Sequence, residues 1–346
     1  MSKIKVAVLF GGASSEYEIS LVSAASVLKN INSKQYEVLK IGITKDGNFF
    51  LYEGSIEKIE NNTWLDETTK LITFSCNKKN HGFYIIETQE FVYIDLVFPV
   101  LHGKNGEDGR LQGLLELASI PFVGCNMISS SLCMDKFLAH QLVEKENIMV
   151  PKSYAFTKKD TLLSIVNQVK NLQYPLFVKP IKGGSSIGIT EIREKEKMIS
   201  AINFAFTYDD AIVIEEKIEG IEVGCAILGN TEYIIGEVDE IELQNSYYDT
   251  LEKYNAKTSK IHLPARIPEE ERERIKNTAL KVYKILGCSD FARIDLFYTK
   301  EKQIYFNEVN TIPGFTNSSR YPNMLKQTGM TFPEILEKLI ELGLEK

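Results

Sequence analysis

Two acids and an amide, Asp295, Glu308 and Asn310, lie in a stretch that reads as two strands joined by a tight turn, FARIDLFYTKEKQIYFNEVN at 291–310. Alternation puts Arg293, Asp295 and Phe297 on one face of the first strand. It puts Ile304, Phe306, Glu308 and Asn310 on one face of the second. If the strands pair antiparallel with these faces aligned, the three oxygen-bearing side chains meet beside a guanidinium. Such a spot suits Mg²⁺ with a polyphosphate better than zinc or copper. The plainer alternative is a solvated hairpin that happens to carry two acids. Phe297 and Phe306, interleaved on the same faces, argue against it. Pro313-Gly314 then leads into Thr316, Asn317, Ser318 and Ser319, a loop able to donate hydrogen bonds to an anion.

The elements that would position these residues follow in chain order. Residues 3–10, KIKVAVLF, form a buried strand, 11–15 a tight loop, and 17–31 a helix whose periodic positions are Ile19, Val22, Ser23, Ser26 and Val27. Ser15 and Glu18 have capping-box spacing. The loop is not G-x-G-x-x-G, so a dinucleotide site is disfavoured. Strands are expected over 38–43 and 94–100. The latter runs into HGKNGEDG at 102–109, where His102 reads as structural before catalytic, and Glu107 and Asp108 suit a helix start by charge alone. A helix follows over 111–118, a short strand over 120–123, and a boundary near Cys125. Residues 129–146 read as one helix containing Asp135 and Lys136, and 161–172 as another. Strand 174–180 carries Lys179 among apolar neighbours and calls for an anion. The glycine- and serine-rich loop at 181–188 is not a P-loop, but its N–H and hydroxyl groups suit phosphates. Strands are expected over 189–192, 211–216, 222–228 and 234–243. Residues 244–261 lack a period and read as a lid carrying Lys253 and Tyr254. Helices cover 269–286 and 331–344.

The 346 residues are 44% hydrophobic and 25% charged, with a net charge of −7. That allows two or three domains with sizeable cores and disfavours nucleic acid or an anionic membrane as partner. No apolar run is long enough to span a bilayer. The five cysteines, Cys76, Cys125, Cys133, Cys225 and Cys288, form no C-x-x-C and read as buried free thiols of a cytoplasmic protein.

Several ordered motifs together resemble the ATP-grasp superfamily and, within it, the D-alanine–D-alanine ligase family. They are GGASSEYEIS at 11–20, HGKNGEDG at 102–109, MDK at 134–136, VKPIKGGSSIG at 178–188, YYDTLEKY at 247–254, and ARID with NEVNTIPGFT between 292 and 316. The resemblance covers nearly the whole chain. It implies an α/β fold, α+β towards the C-terminus: an N-terminal parallel α/β substrate-binding domain (1–125), a central ATP-grasp subdomain (126–214) and a C-terminal one (215–346) with lid 244–261. It implies a cytoplasmic homodimer. It also implies ATP-dependent joining of D-alanine to a second D-amino acid through a D-alanyl phosphate, for peptidoglycan precursors. Two Mg²⁺, replaceable by Mn²⁺, would bind Asp295, Glu308 and Asn310. Glu16, near His102, would hold the donor ammonium. Ser185, Tyr254 and Glu16 would lock the lid. Arg293 and the Gly314 N–H would hold the oxyanion, and Ser319 the acceptor carboxylate. Lys136, Lys179, Gly184, Ser186, Glu215, Ile218, Glu222, Lys253, Phe297 and Asn307 would surround the nucleotide. Arg320 and EVDEIEL at 237–243 resemble the ligases of vancomycin resistance, and the absence of histidine at Lys253-Tyr254 disfavours an ester product. D-Serine is therefore the expected acceptor, with D-alanine, as in a housekeeping ligase, the alternative. A non-catalytic nucleotide-binding relative is the remaining one.

Overall fold

The protein is described by a computed structural model, over residues 3–184, 187–243 and 259–346. Among these residues the strands form three sheets. The first is built on Ile4–Gly11, whose apolar run pairs in parallel with Tyr36–Ile43 on one side and Leu96–Pro99 on the other. The parallel part ends there. Phe49–Tyr52, Thr69–Phe74, Gly82–Ile85 and Phe91–Tyr93 extend the sheet as an antiparallel meander, which the sequence pattern did not announce. Residues 120–123 contribute only a bridge, Val97 to Phe122.

Helix Tyr17–Asn30 follows the first strand. Its buried face is Ser20, Leu21, Ser23, Ala24, Val27 and Leu28, while Val22 is exposed. The expected Ser15 cap is absent. Ser14 Oγ accepts the Glu16 N–H instead, and Glu18 pairs with Lys45. The single helix expected over 129–146 is two, Met127–Met134 and Lys136–Lys145. Asp135 leaves helical geometry between them, and its carboxylate accepts the Leu138 N–H at 3.0 Å. Breaking one helix to cap another puts Lys136 at a helix start.

The central sheet orders Thr190–Ile192, Leu176–Pro180, Ala211–Glu216 and Ser153–Thr157, all antiparallel. Leu176, Val178, Ile212 and Ile214 pack with Ile165 and Ile202 from helices Leu162–Gln168 and Met198–Ala205. Alternation leaves Phe177, Lys179 and Glu215 for the opposite face.

The C-terminal sheet contains Gly220–Leu228, Ile234–Ile235, Asp239–Leu243, Ser259–His262, Phe291–Thr299 and Ile304–Asn310. Residues 234–243 are thus two strands rather than one. Residues 259–261, expected at the end of the lid, pair with Asp239–Leu243, because Ser259 to His262 match its Leu243 to Glu240 register. Val223, Cys225, Ile227, Ile294 and Leu296 face helix Glu269–Ile285 and meet its Ile275, Ala279 and Val282. The other face looks toward the central sheet. Helix Phe332–Leu344 carries a full capping box from Thr331 and Glu334 and closes the core against the first sheet. All five cysteines are free. Cys125, Cys133 and Cys225 are buried, whereas Cys76 is exposed, contrary to the expectation that all are inside. No described helix is long and apolar enough to cross a membrane.

Candidate active site

The central and C-terminal sheets enclose a cavity of about 630 Å³, within the range of small-molecule sites. Of the residues singled out from sequence, Glu16, Lys136, Lys179, Gly184, Glu215, Ile218, Glu222, Arg293, Phe297, Asn307, Glu308 and Asn310 line it. His102, Asp295, Gly314, Ser319 and Arg320 lie outside its wall. Ser185, Ser186, Lys253 and Tyr254 fall outside the described residues.

The hairpin that supplies one wall departs from simple alternation. Arg293 pairs with Asn310 and Asp295 with Glu308, but Leu296 then pairs with Phe306, leaving Asn307 as an extra residue. This β-bulge reverses the facing of everything before it. Phe306 therefore turns into the core with Ile294 and Leu296, not beside Glu308 as expected. Asn307 faces the cavity instead, while its carbonyl accepts from His140 Nε2 at 2.7 Å. His140 is buried beneath the hairpin, and burial lowers its imidazole below the usual range, which keeps it neutral.

Two lysines converge from different elements. Lys136 donates to the Gly183 carbonyl at 2.8 Å and lies 3.3 Å from Glu308. Lys179 pairs with Glu215 and stands over the Phe177 ring. The anion that Lys179 calls for is thus supplied within the protein. Phosphates entering here would meet both ammonium groups.

Asp295 lies behind Arg293 and is fully buried. Arg293 grips it with two nitrogens, Nε at 2.8 Å and Nη2 at 2.7 Å, and Asn310 donates to it at 2.9 Å. Arg320 approaches it at 3.3 Å. Burial opposes the Asp295 charge, but the two guanidiniums outweigh it and hold the carboxyl below its usual range. Arg320, at the start of helix Arg320–Lys326, also binds Asp239 through two hydrogen bonds of 2.7 Å. Gly224 makes room for this cluster, since a Cβ there would strike the Arg320 guanidinium and both aspartates. Among the described residues no three His, Cys, Asp or Glu side chains converge as a metal cluster. Mg²⁺ needs less, because it binds one or two protein oxygens together with substrate phosphates. Glu308 and Asn310 on the cavity wall fit that requirement. Asp295 would have to exchange hydrogen bonds to join them.

The far end of the cavity is made by loops. Glu16 is nearly buried there, and a Cβ on Gly103 (φ +70°) would come within 2.6 Å of its carboxylate. His102 Nδ1 lies 2.8 Å from the Ile312 carbonyl, which can only accept, so that nitrogen carries the proton. Nε2 is then the acceptor for Ser23 Oγ at 3.3 Å, and Ser23 Oγ accepts the Phe315 N–H at 3.4 Å. Burial lowers the His102 imidazole, matching the neutral ring this chain requires. Glu107 accepts from Gly103 N–H and Ile312 N–H, each at 2.8 Å. It does not serve a helix start, as its charge suggested. Asp108 takes that place by accepting the Arg110 N–H at 3.2 Å. Burial and the neighbouring Glu16 push the Glu107 carboxyl up to about 8. Ser319 Oγ accepts the Thr316 N–H at 2.9 Å beside Gly314. Glu107, Ser23 and Asp239 were not singled out from sequence as site residues. A serine at a helix-periodic position among apolar residues was the available signal for Ser23, and Ser20 on the same face gives the same signal.

A cavity between two antiparallel sheets, walled by two lysines, acids and a glycine-rich loop, attached to a parallel-containing α/β sheet, defines an ATP-grasp enzyme. Residues 5–125 match the family description "D-ala D-ala ligase N-terminus" and residues 142–341 match "D-ala D-ala ligase C-terminus". The chain belongs to the D-alanine–D-alanine ligase family, whose members are ATP-dependent ligases that use a divalent metal. It is 43% identical over 355 residues to the D-alanine–D-alanine ligase of Caldicellulosiruptor bescii, covering 100% of this chain and 96% of that one. It is 42% identical over 353 residues to the vancomycin B-type resistance protein VanB of Enterococcus faecalis, covering both in full (100% each). The crystal structure of the VanG D-Ala:D-Ser ligase from Enterococcus faecalis superposes with a TM-score of 0.93 at 51% identity, over 99% of this chain and 100% of that one. The D-alanine–D-alanine ligase from Coxiella burnetii gives 0.89 at 30% identity, over 100% and 95%.

Proposed function

We propose that this ligase joins D-alanine to D-serine, using ATP and two Mg²⁺ (or Mn²⁺), to supply a dipeptide for peptidoglycan precursors in the cytoplasm, in a setting of vancomycin resistance. The observation that carries D-serine is the pairing of partly buried Arg320 with buried Asp239, next to Ser319. An acceptor end backed by fixed charges rewards a hydroxymethyl group where an apolar pocket would not. The likeness to a D-Ala:D-Ser ligase supports the same reading. A D-alanine acceptor is the second reading, favoured by the likeness to the Caldicellulosiruptor bescii ligase.

In this reading residues 1–125 carry the donor site, and 126–214 and 215–346 hold the nucleotide between them, in a homodimer. ATP supplies the phosphoryl group that activates the donor carboxylate, and the metal neutralises phosphate charge. Glu16 orients the donor through its ammonium. Lys136 and Lys179 face the phosphates, while Gly184, Ser185, Ser186 and Lys253 cover them. Glu215, Ile218, Glu222, Phe297 and Asn307 surround the nucleoside. Glu308 and Asn310, joined by Asp295, hold metal. Arg293 and the Gly314 N–H hold the oxyanion formed when the acceptor amine adds to the activated carboxyl, where fixed donors count most. Tyr254 and Ser185 close on Glu16, His102 backs the donor site, and Ser319 and Arg320 orient the acceptor.

Steady-state rates with D-alanine as donor and D-serine, D-alanine or D-lactate as acceptor test this reading. A kcat/KM for D-serine at least about tenfold above that for D-alanine is expected, the scale set by one satisfied hydroxyl. A preference for D-alanine overturns the D-serine assignment.

A further inference from the structure

Glu107 is a second acid in a place that already has one. It lines the cavity beside Glu16, Arg293 and Thr311. Burying a second carboxyl beside Glu16 is unfavourable enough to hold its proton on, so the residue must do something an apolar one would not. Its two oxygens point to two separate loops. Oε2 accepts the Gly103 N–H, in the loop that touches Glu16, and Oε1 accepts the Ile312 N–H, 205 residues away in sequence. Ile312 is gripped on its other side by His102, and Phe315 by Ser23. Gly314 lies between those fixed points.

We propose that Glu107 is a positioning residue: its carboxyl group spans Gly103 and Ile312 and thereby sets the Gly314 amide against the Glu16 end of the cavity. The inference rests on the reading of Gly314 as an oxyanion donor, and adds the residue that holds it in register. The carboxyl group suits the task because each of its oxygens keeps a lone pair for a backbone N–H even when the group is protonated, so one side chain satisfies two backbone donors. An amide of the same size offers one acceptor and turns donors toward the second N–H. Aspartate keeps the carboxyl group but is a methylene too short to span both.

Glu107→Gln and Glu107→Asp separate the span of the side chain from its chemical type. Both variants should lose about 10–100-fold in kcat, the scale of a misplacement near 1 Å. The KM for ATP should stay within about twofold, because the nucleotide walls come from other elements. Rates are taken with D-alanine as donor and whichever acceptor the unaltered enzyme prefers. Amide hydrogen exchange gives a readout independent of activity: the Ile312 and Phe315 amides should exchange about tenfold or more faster in Glu107→Gln. Unchanged exchange there, or a Glu107→Asp enzyme that turns over like the unaltered one, overturns the proposal. So does a kcat loss matched by an equal rise in the KM for ATP, which marks general loosening. Should Glu107→Gln fail to fold, Glu107→Asp decides by the same two measurements. A failed acceptor assignment shows up separately, as a D-alanine preference in the unaltered enzyme with the exchange effect intact.

Discussion

The two ends of the cavity are built by different means. The end proposed for the nucleotide is walled by side chains on regular strands and one helix start: Lys136, Lys179, Glu215, Phe297 and Glu308. The end proposed for the donor is made by loop backbone, held by contacts between residues 205 to 292 positions apart. A strand fixes where a side chain points through its pleat alone. A loop acquires the same rigidity only when other elements satisfy its N–H and C=O groups. The first end should therefore respond to substitution locally, the second at a distance.

The largest effect is expected at the strand-built end. Glu308→Ala should lower kcat by about a thousandfold, the several kcal/mol that a bound metal contributes. Its fold should persist, since Glu308 is only partly buried. A rate near that of the unaltered enzyme in a Mg²⁺ titration removes Glu308 from the metal site. Next comes the ion cluster beneath that wall. Arg320→Leu should destabilise the protein by about 3–5 kcal/mol, because Asp239 and Asp295 stay buried with less compensation. Denaturant unfolding measures it, and a change below about 1 kcal/mol says the cluster is not a structural unit. At the loop-built end Ser23→Ala removes the acceptor for Phe315 N–H without touching the cavity. It should cost about tenfold in kcat and leave the KM for ATP alone. A change in the KM for ATP instead would dissolve the distinction between the two ends.

The smallest effect is a pH dependence. The folded protein holds the Glu107 proton up to about pH 8, whereas an unfolded glutamate has lost it above its usual 4.5. The folded state therefore binds the extra proton between those values, and stability falls as pH rises through that window. Thermal midpoints of the ligand-free protein should show this decline, and Glu107→Gln should flatten it. An equal slope in both assigns the decline to other groups.

The same division decides how much the sequence told. Lys179 stood out because a charged residue in an apolar strand needs an anion, and Glu215 of the adjacent strand supplies it. Asp295, Glu308 and Asn310 were legible by alternation: the hairpin pairs Asp295 with Glu308 and Asn310 donates to Asp295, although Asp295 lies behind the cavity wall that the other two line. Phe306 was misplaced because one inserted residue breaks the alternation, and nothing local marks a bulge at Asn307. Glu107 was visible as an acid after glycines, but its partner Ile312 offers only a backbone N–H, which leaves no trace in residue types. The split at Asp135 was hidden because its neighbours on both sides are helix-compatible. The meander of the first sheet lay in strands of three to six residues, too short for a clear period.

The extra residue at Asn307 works like a reading frame within the hairpin. Pairing the same residues as an unbroken pleat, with none left over at Asn307, would put Phe306 on one face with Glu308 and Asn310, and either Glu308 and Asn310 would rotate into the apolar layer or Phe306 would rotate out of it. The turn at 300–303 ends in exposed residues and can absorb a change of length at its tip. Two sites in one hairpin, a few residues apart, thus differ in what a shift of one residue does. At the tip it changes a loop, and at Asn307 it exchanges the inside of the protein for its active surface.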